Sequence, residues 1–97
     1  MGILDNKVVM ISGIAGGQGR AAALLFARAG AKVFGCDVNA DGTRETVEMV
    51  RREGGIIESL APLDPSDPVD AERWAKATAD TFGGVDILYN NGASLRA

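Results

Sequence analysis

The chain is 97 residues long, 46% hydrophobic and 24% charged, with a net charge of −3 and no histidine. That apolar content supports one small folded domain and argues against a disordered chain, while the acidic balance leaves no basic footprint for nucleic acid. Without imidazole the commonest general base and the commonest metal ligand are both missing, so no metal site is expected.

The single cysteine, Cys36, cannot close an internal disulfide, and residues 1–7 carry Asp5 and Lys7 where a signal peptide would be apolar. No apolar run is long enough to cross a membrane. The expected setting is the cytoplasm, with no membrane partner.

In chain order, residues 7–12 (KVVMIS) form a short apolar run ending at a glycine, the pattern of a strand buried on both faces. Residues 17–29 follow as a helix with Leu24, Leu25 and Phe26 on its apolar side, and Gly30 stops it. A second buried strand is expected over 31–37 (AKVFGCD). The second helix, 41–53, takes Asp41 as its cap, turns Val47 and Val50 inward, and pairs Arg44 with Glu48 and Glu48 with Arg52 outside.

Residues 56–63 (IIESLAPL) contain a third strand, and the turn 64–68 (DPSDP) caps a third helix over 69–82. The expected apolar contacts of that helix are Val69, Trp74, Ala77 and Phe82. Two glycines end it, and residues 85–90 (VDILYN) make a fourth strand. Cys36 and Met10 read as core side chains, Trp74 as a helix-to-sheet anchor, and Tyr89 as a strand residue packed against a helix.

The order βαβαβαβ with short connections implies a parallel sheet with helices on both faces. With right-handed crossovers, and the third helix on the opposite face from the first two, the strand order becomes 3-2-1-4. That is the first half of a doubly wound α/β sheet of Rossmann type, a single unit over 1–97. Ligands in such sheets bind where the strand order reverses, at the carboxyl ends of strands one and four. The glycine-rich stretch after the first strand lies there.

Those glycines make a tight turn, let backbone approach a pyrophosphate and let helix pack close to strand, while the amides opening the next helix attract an anion. An acidic residue, Asp37, ends the second strand, where a carboxylate can accept hydrogen bonds from both ribose hydroxyls of an adenosine.

Ser12-Gly13-Ile14-Ala15-Gly16-Gly17-Gln18-Gly19 resembles the T-G-x-x-x-G-x-G loop of the short-chain dehydrogenases/reductases, with serine for threonine. The resemblance continues through Asp37, through Leu63-Asp64-Pro65 after the third strand and through Asn90-Asn91-Gly92-Ala93 after the fourth, where the family has N-N-A-G. It implies a cofactor site made of Ser12, Gly13, Ala15, Gly17, Gln18 and Gly19 with Asp37 and Val38, Leu63, Asp64 and Pro65, and Asn90, Asn91 and Gly92. In the family the aspartate at the Asp64 position contacts the adenine ring. Gln18 replaces the family's isoleucine, Arg20 stands where an apolar residue is usual, and Gly92-Ala93 inverts the usual pair.

The implied cofactor is NAD rather than NADP, because an aspartate at the ribose repels a 2′-phosphate and no Lys or Arg precedes Gly17 in the loop. The implied reaction is hydride transfer between the nicotinamide and an alcohol or carbonyl substrate. The family's tyrosine with a lysine four residues on is not found: four residues after Tyr89, the only tyrosine, stands Ala93. No catalytic residue is therefore assigned.

The 97 residues read as the cofactor-binding portion of a longer dehydrogenase, inactive alone. They are expected to associate with a second copy or with a C-terminal part. Two other readings stay open at this point, a dinucleotide-binding or regulatory module without chemistry and a nucleoside-binding methyltransferase.

Overall fold

Five consecutive residues with no charge, VVMIS, make β1 (Val8–Ser12), and every one of them is buried. A strand apolar on both faces is stable only with layers on both sides. In the computed structural model, which describes residues 2–91, the other elements provide those layers. They are α1 (Gly17–Arg28), β2 (Lys32–Cys36), α2 (Ala40–Arg52), β3 (Ile56–Leu60), α3 (Pro68–Phe82) and β4 (Ile87–Tyr89).

The sheet is parallel throughout, in the order β3-β2-β1-β4. Val9 of β1 lies between Val33 of β2 and Ile87 of β4, which fixes the register on both sides. The expected Rossmann-type half-sheet is therefore the observed one.

Alternation along the strands divides the core into two layers. Val9, Ile11, Val33 and Ile57 face α1 and α2 and pack with Ala22, Ala23 and Val50. Met10, Phe34 and Cys36 face α3 and pack with Leu63 and Trp74. Trp74 anchors its helix as expected: it is buried and its indole N–H donates to the Phe34 carbonyl at 3.3 Å. Tyr89 meets Phe26 of α1 edge to face, with ring centres 5.7 Å apart.

Several local expectations are corrected. Asn39, not Asp41, caps α2, because its side chain accepts from the Gly42 N–H at 2.9 Å while Asp41 already lies in the first helical turn. Arg44 pairs with Asp41 three residues before it, and Arg51 reaches Glu58 on β3, in place of the expected pairs through Glu48.

Leu25 is exposed, because α1 meets the sheet through the small side chains Ala22 and Ala23 and leaves Leu25 at the rim. Val69 is exposed too; at 100° per residue it lies about 140° around α3 from Trp74. The turn 64–68 caps α3 as expected, with Asp67 accepting from the Asp70 N–H and Pro68 opening the helix.

Candidate functional site

The carboxyl ends of β1, β2 and β4 converge on the loop between Ser12 and Gly17. Ser12 is fully buried and joins β1 to the residues after β4. Its hydroxyl lies 2.9 Å from Asn90 Oδ1 and from the Asn91 carbonyl, and it accepts the Asn91 N–H at 2.8 Å. The Asn91 amide in turn reaches the Gly13 carbonyl at 3.4 Å. A serine in the first strand and two asparagines about 80 residues later thus form one polar knot.

Two glycines are dictated by this knot. Gly13 has a left-handed φ of 71°, and a Cβ there would lie 2.6 Å from the Asn91 carbonyl oxygen. A Cβ on Gly19, which is buried, would overlap the Gly13 carbonyl. Helix α1 can therefore start directly against the loop. Its cap position, Gly16, contributes no side-chain hydrogen bond, and no acidic residue stands in its first turn. The amides of that turn have no intrahelical acceptor, and with the helix dipole they favour an anion.

Asp37 leaves the end of β2 toward the loop. One carboxylate oxygen accepts the Ala15 N–H at 2.9 Å and the other the Asn39 N–H at 2.9 Å. A carboxylate has about four acceptor directions, so these two bonds orient it and leave acceptor capacity for hydroxyls. Val38 beside it is exposed and apolar, the kind of surface against which a flat ring can lie.

The Leu63 side chain is part of the core, and its N–H donates to the Asp37 carbonyl at 2.9 Å. It can offer a ligand only its carbonyl. Asp64 spends one carboxylate oxygen on the N–H and hydroxyl of Ser66, at 2.9 and 2.7 Å, and Pro65 continues that turn. Gln18 is exposed on the first turn of α1 and borders an apolar hollow shared with Leu4, Ala21, Leu25, Phe26 and Tyr89. Gly92, and with it the inverted Gly92-Ala93 pair, lies outside the described residues.

Cys36 sits directly beneath the site, but burial, with Asp37 adding to it, pushes its thiol from an ordinary 9.0 up to about 12. It is a neutral core side chain and no nucleophile.

The structure brings together Ser12, Gly13, Ala15, Gly17, Gly19, Asp37, Asn90 and Asn91. Sequence reading missed two participants, Arg20 and Thr46. The Arg20 guanidinium donates to the Ala15 carbonyl at 2.7 Å, and the buried Thr46 hydroxyl to the Ile14 carbonyl at 2.6 Å. Arg20 was visible as a departure from the family pattern, but nothing in the sequence announces Thr46.

A sequence model of the family described as short chain dehydrogenase matches residues 7–96. An uncharacterized oxidoreductase of Bacillus subtilis, YxbG, is 44% identical over 91 residues, which are 94% of this chain and 33% of that protein. The crystal structure of a hydroxysteroid dehydrogenase from Escherichia coli superposes with a TM-score of 0.89 at 33% identity, covering 94% of this chain and 38% of the other. Actinorhodin polyketide ketoreductase, solved with NADPH, superposes with a TM-score of 0.87 at 26% identity over 97% of this chain and 36% of its own. The chain thus spans about a third of the length of the relatives it matches.

Proposed function

The chain belongs to the short chain dehydrogenase family, and from that premise we propose that it forms the dinucleotide-binding part of an oxidoreductase that prefers NAD over NADP. The observation that carries the reading is Asp37, a carboxylate fixed at the end of β2 by the Ala15 and Asn39 amides. It suits the two ribose hydroxyls of an adenosine and repels a phosphate in their place. The neighbouring side chains at Gly16 and Val38 offer no cation, and the Arg20 guanidinium is turned inward onto carbonyls and Glu45.

When bound, the nicotinamide would supply or accept the hydride for an alcohol or carbonyl substrate. The residues of this chain would bind and orient it: the first-turn amides of α1 would hold the pyrophosphate, Asp37 the adenosine ribose, Val38 and the Asp64 turn the adenine, and Asn90 and Asn91 the nicotinamide ribose. Proton transfer to or from the substrate needs a further group, which neither Tyr89 nor Cys36 fits. Tyr89 is packed against Phe26, and Cys36 is buried with a raised pKa.

On this reading the 97 residues bind cofactor without turning over substrate. A second copy, or further chain of the kind its relatives carry, covers the exposed Leu25 and Leu88. A cytoplasmic location is part of the same proposal; among the described residues no helix is long and apolar enough to cross a membrane.

Fluorescence titration with NADH and NADPH tests the reading. Wild type should bind NADH in the micromolar range and NADPH more weakly. Gly13→Ala should lose both, and Asp37→Ala with Val38→Arg should reverse the order. An unchanged order in that double variant would remove Asp37 as the determinant. A Gly13→Ala chain that binds as wild type does would remove the loop.

A further inference from the structure

The peptide units on either side of Ala15 are each held in the α1–α2 corner. In a trans peptide the carbonyl and the following N–H point in opposite directions. The Ile14 carbonyl accepts the Thr46 hydroxyl at 2.6 Å, and the N–H at the other end of that plane, on Ala15, donates to Asp37 at 2.9 Å. The next plane begins with the Ala15 carbonyl, which accepts from Arg20 at 2.7 Å. Its other end is the Gly16 N–H, which must point away from Arg20 and α2. Gly16 is the exposed cap position of α1.

The Arg20 side chain is shaped for this task. Its Nε donates to Thr46 Oγ1 at 2.8 Å, and one terminal nitrogen is shared among Ala15, the Gly42 carbonyl at 3.1 Å and Glu45 at 3.1 Å. A threonine hydroxyl has one proton. Accepting from Arg20 leaves that proton for a carbonyl, and Ile14 at 2.6 Å is a closer acceptor than Gly42 at 3.2 Å. Helix α2 comes close enough for this only because residue 42 is glycine: a Cβ there would lie 2.7 Å from the Ala15 carbonyl oxygen. Three residues on two helices thus set the direction of two loop peptides.

Resting on the dinucleotide reading above, we propose that Arg20 is a positioning residue of the cofactor site. Through Thr46 and the Ala15 carbonyl it aims the Gly16 N–H toward the pyrophosphate, and it touches no phosphate itself. The loop is then preorganised before ligand arrives, and its donors need no ordering on binding.

The test is equilibrium titration of the full chain with ADP-ribose, which carries the pyrophosphate, and with adenosine, which does not. Each is run on wild type, Arg20→Met, Arg20→Lys and Thr46→Val, with thermal melts alongside. Arg20→Met should weaken ADP-ribose by about tenfold, the weight of one charge-assisted hydrogen bond, and adenosine by less than about twofold. Arg20→Lys, which retains a donor for the Ala15 carbonyl, should recover part of the loss, and Thr46→Val should follow Arg20→Met. The dependence of ADP-ribose affinity on salt should weaken only slightly in Arg20→Met, because the guanidinium acts on the phosphates from a distance and no cation–phosphate contact is removed.

Wild-type ADP-ribose affinity in Arg20→Met overturns the proposal, as does an equal loss for both ligands. A salt dependence flattened in that variant by as much as a direct cation–phosphate contact would account for also overturns it, by making Arg20 a direct phosphate ligand. A wild type that binds adenosine but not ADP-ribose, or neither, overturns the dinucleotide reading and this proposal with it.

Discussion

Ser12 is one hydroxyl serving two residues at the far end of the chain. Its removal leaves the Asn91 N–H without the partner it has at 2.8 Å. An unsatisfied donor costs about 1–3 kcal/mol when buried, and this one is part-buried, so Ser12→Ala should lower the unfolding free energy by about 1 kcal/mol, read as a lower urea midpoint with an unchanged slope. Ser12→Thr keeps the hydroxyl and should fold with near wild-type stability. Cys36 gives a prediction in pH. Its thiol is raised from 9.0 to about 12, so the unfolded chain loses that proton first as pH rises. The contribution is complete below about pH 9 and is lost from there up toward pH 12. Cys36→Ala should flatten the fall of stability over that window in denaturant titrations at successive pH values. Most residues of the loop were legible because glycine and aspartate have few reasons to stand beside a core strand. The roles of Arg20 and Thr46 were not: apart from the near contacts of Arg20 with Ala15 and of Thr46 with Gly42, their side-chain partners lie 22 to 32 residues away in sequence, and only the packing of α2 onto the loop brings them together.

At the scale of elements, the start of α2 sets helix propensity against packing. Gly42 lies inside α2, where alanine is the better helix former by about 1 kcal/mol. Its missing Cβ leaves room for the Ala15 carbonyl and methyl, which would lie at 2.7 and 2.8 Å. Backbone cannot yield as a flexible side chain can, so overpacking of about 1–3 kcal/mol wins. Gly42→Ala should therefore destabilise the chain in a thermal melt, although propensity alone gives the opposite sign. Element order and sheet topology were readable because each apolar run ends at a glycine or a turn and the alternation of strand and helix admits few connections. Helix details were less so. Asp41 and Asn39 are both good caps by composition, and only the backbone shows that the chain turns helical at Ala40. Likewise Leu24, Leu25 and Phe26 are equally apolar, and which of them faces outward depends on how closely the alanines let α1 approach.

Across the described residues, apolar side chains stand exposed on both sheet faces beside β4, Leu25 on the α1 side and Leu88, in register with Met10, on the α3 side. Leu25 and Leu88 are 63% and 59% exposed, and Leu25, Phe26 and Tyr89 border the same hollow. β4 pairs only with β1 among the described residues, so its outer edge carries unpaired backbone groups. Concentration-dependent self-association is expected in sedimentation velocity, and Leu25→Lys with Leu88→Lys should suppress it while preserving the far-ultraviolet circular dichroism. β4 itself, three residues long, is held at both ends by polar bonds to β1. The Val8 N–H donates to the Asp86 carboxylate at 2.8 Å at one end, and Ser12 binds Asn90 and Asn91 at the other. The second of these ties is also a wall of the glycine loop. Fraying of the edge strand and loosening of the loop are therefore one local unfolding event, with one free energy. A ligand seated on the loop draws on that shared free energy, and so slows the opening of a strand it need not touch.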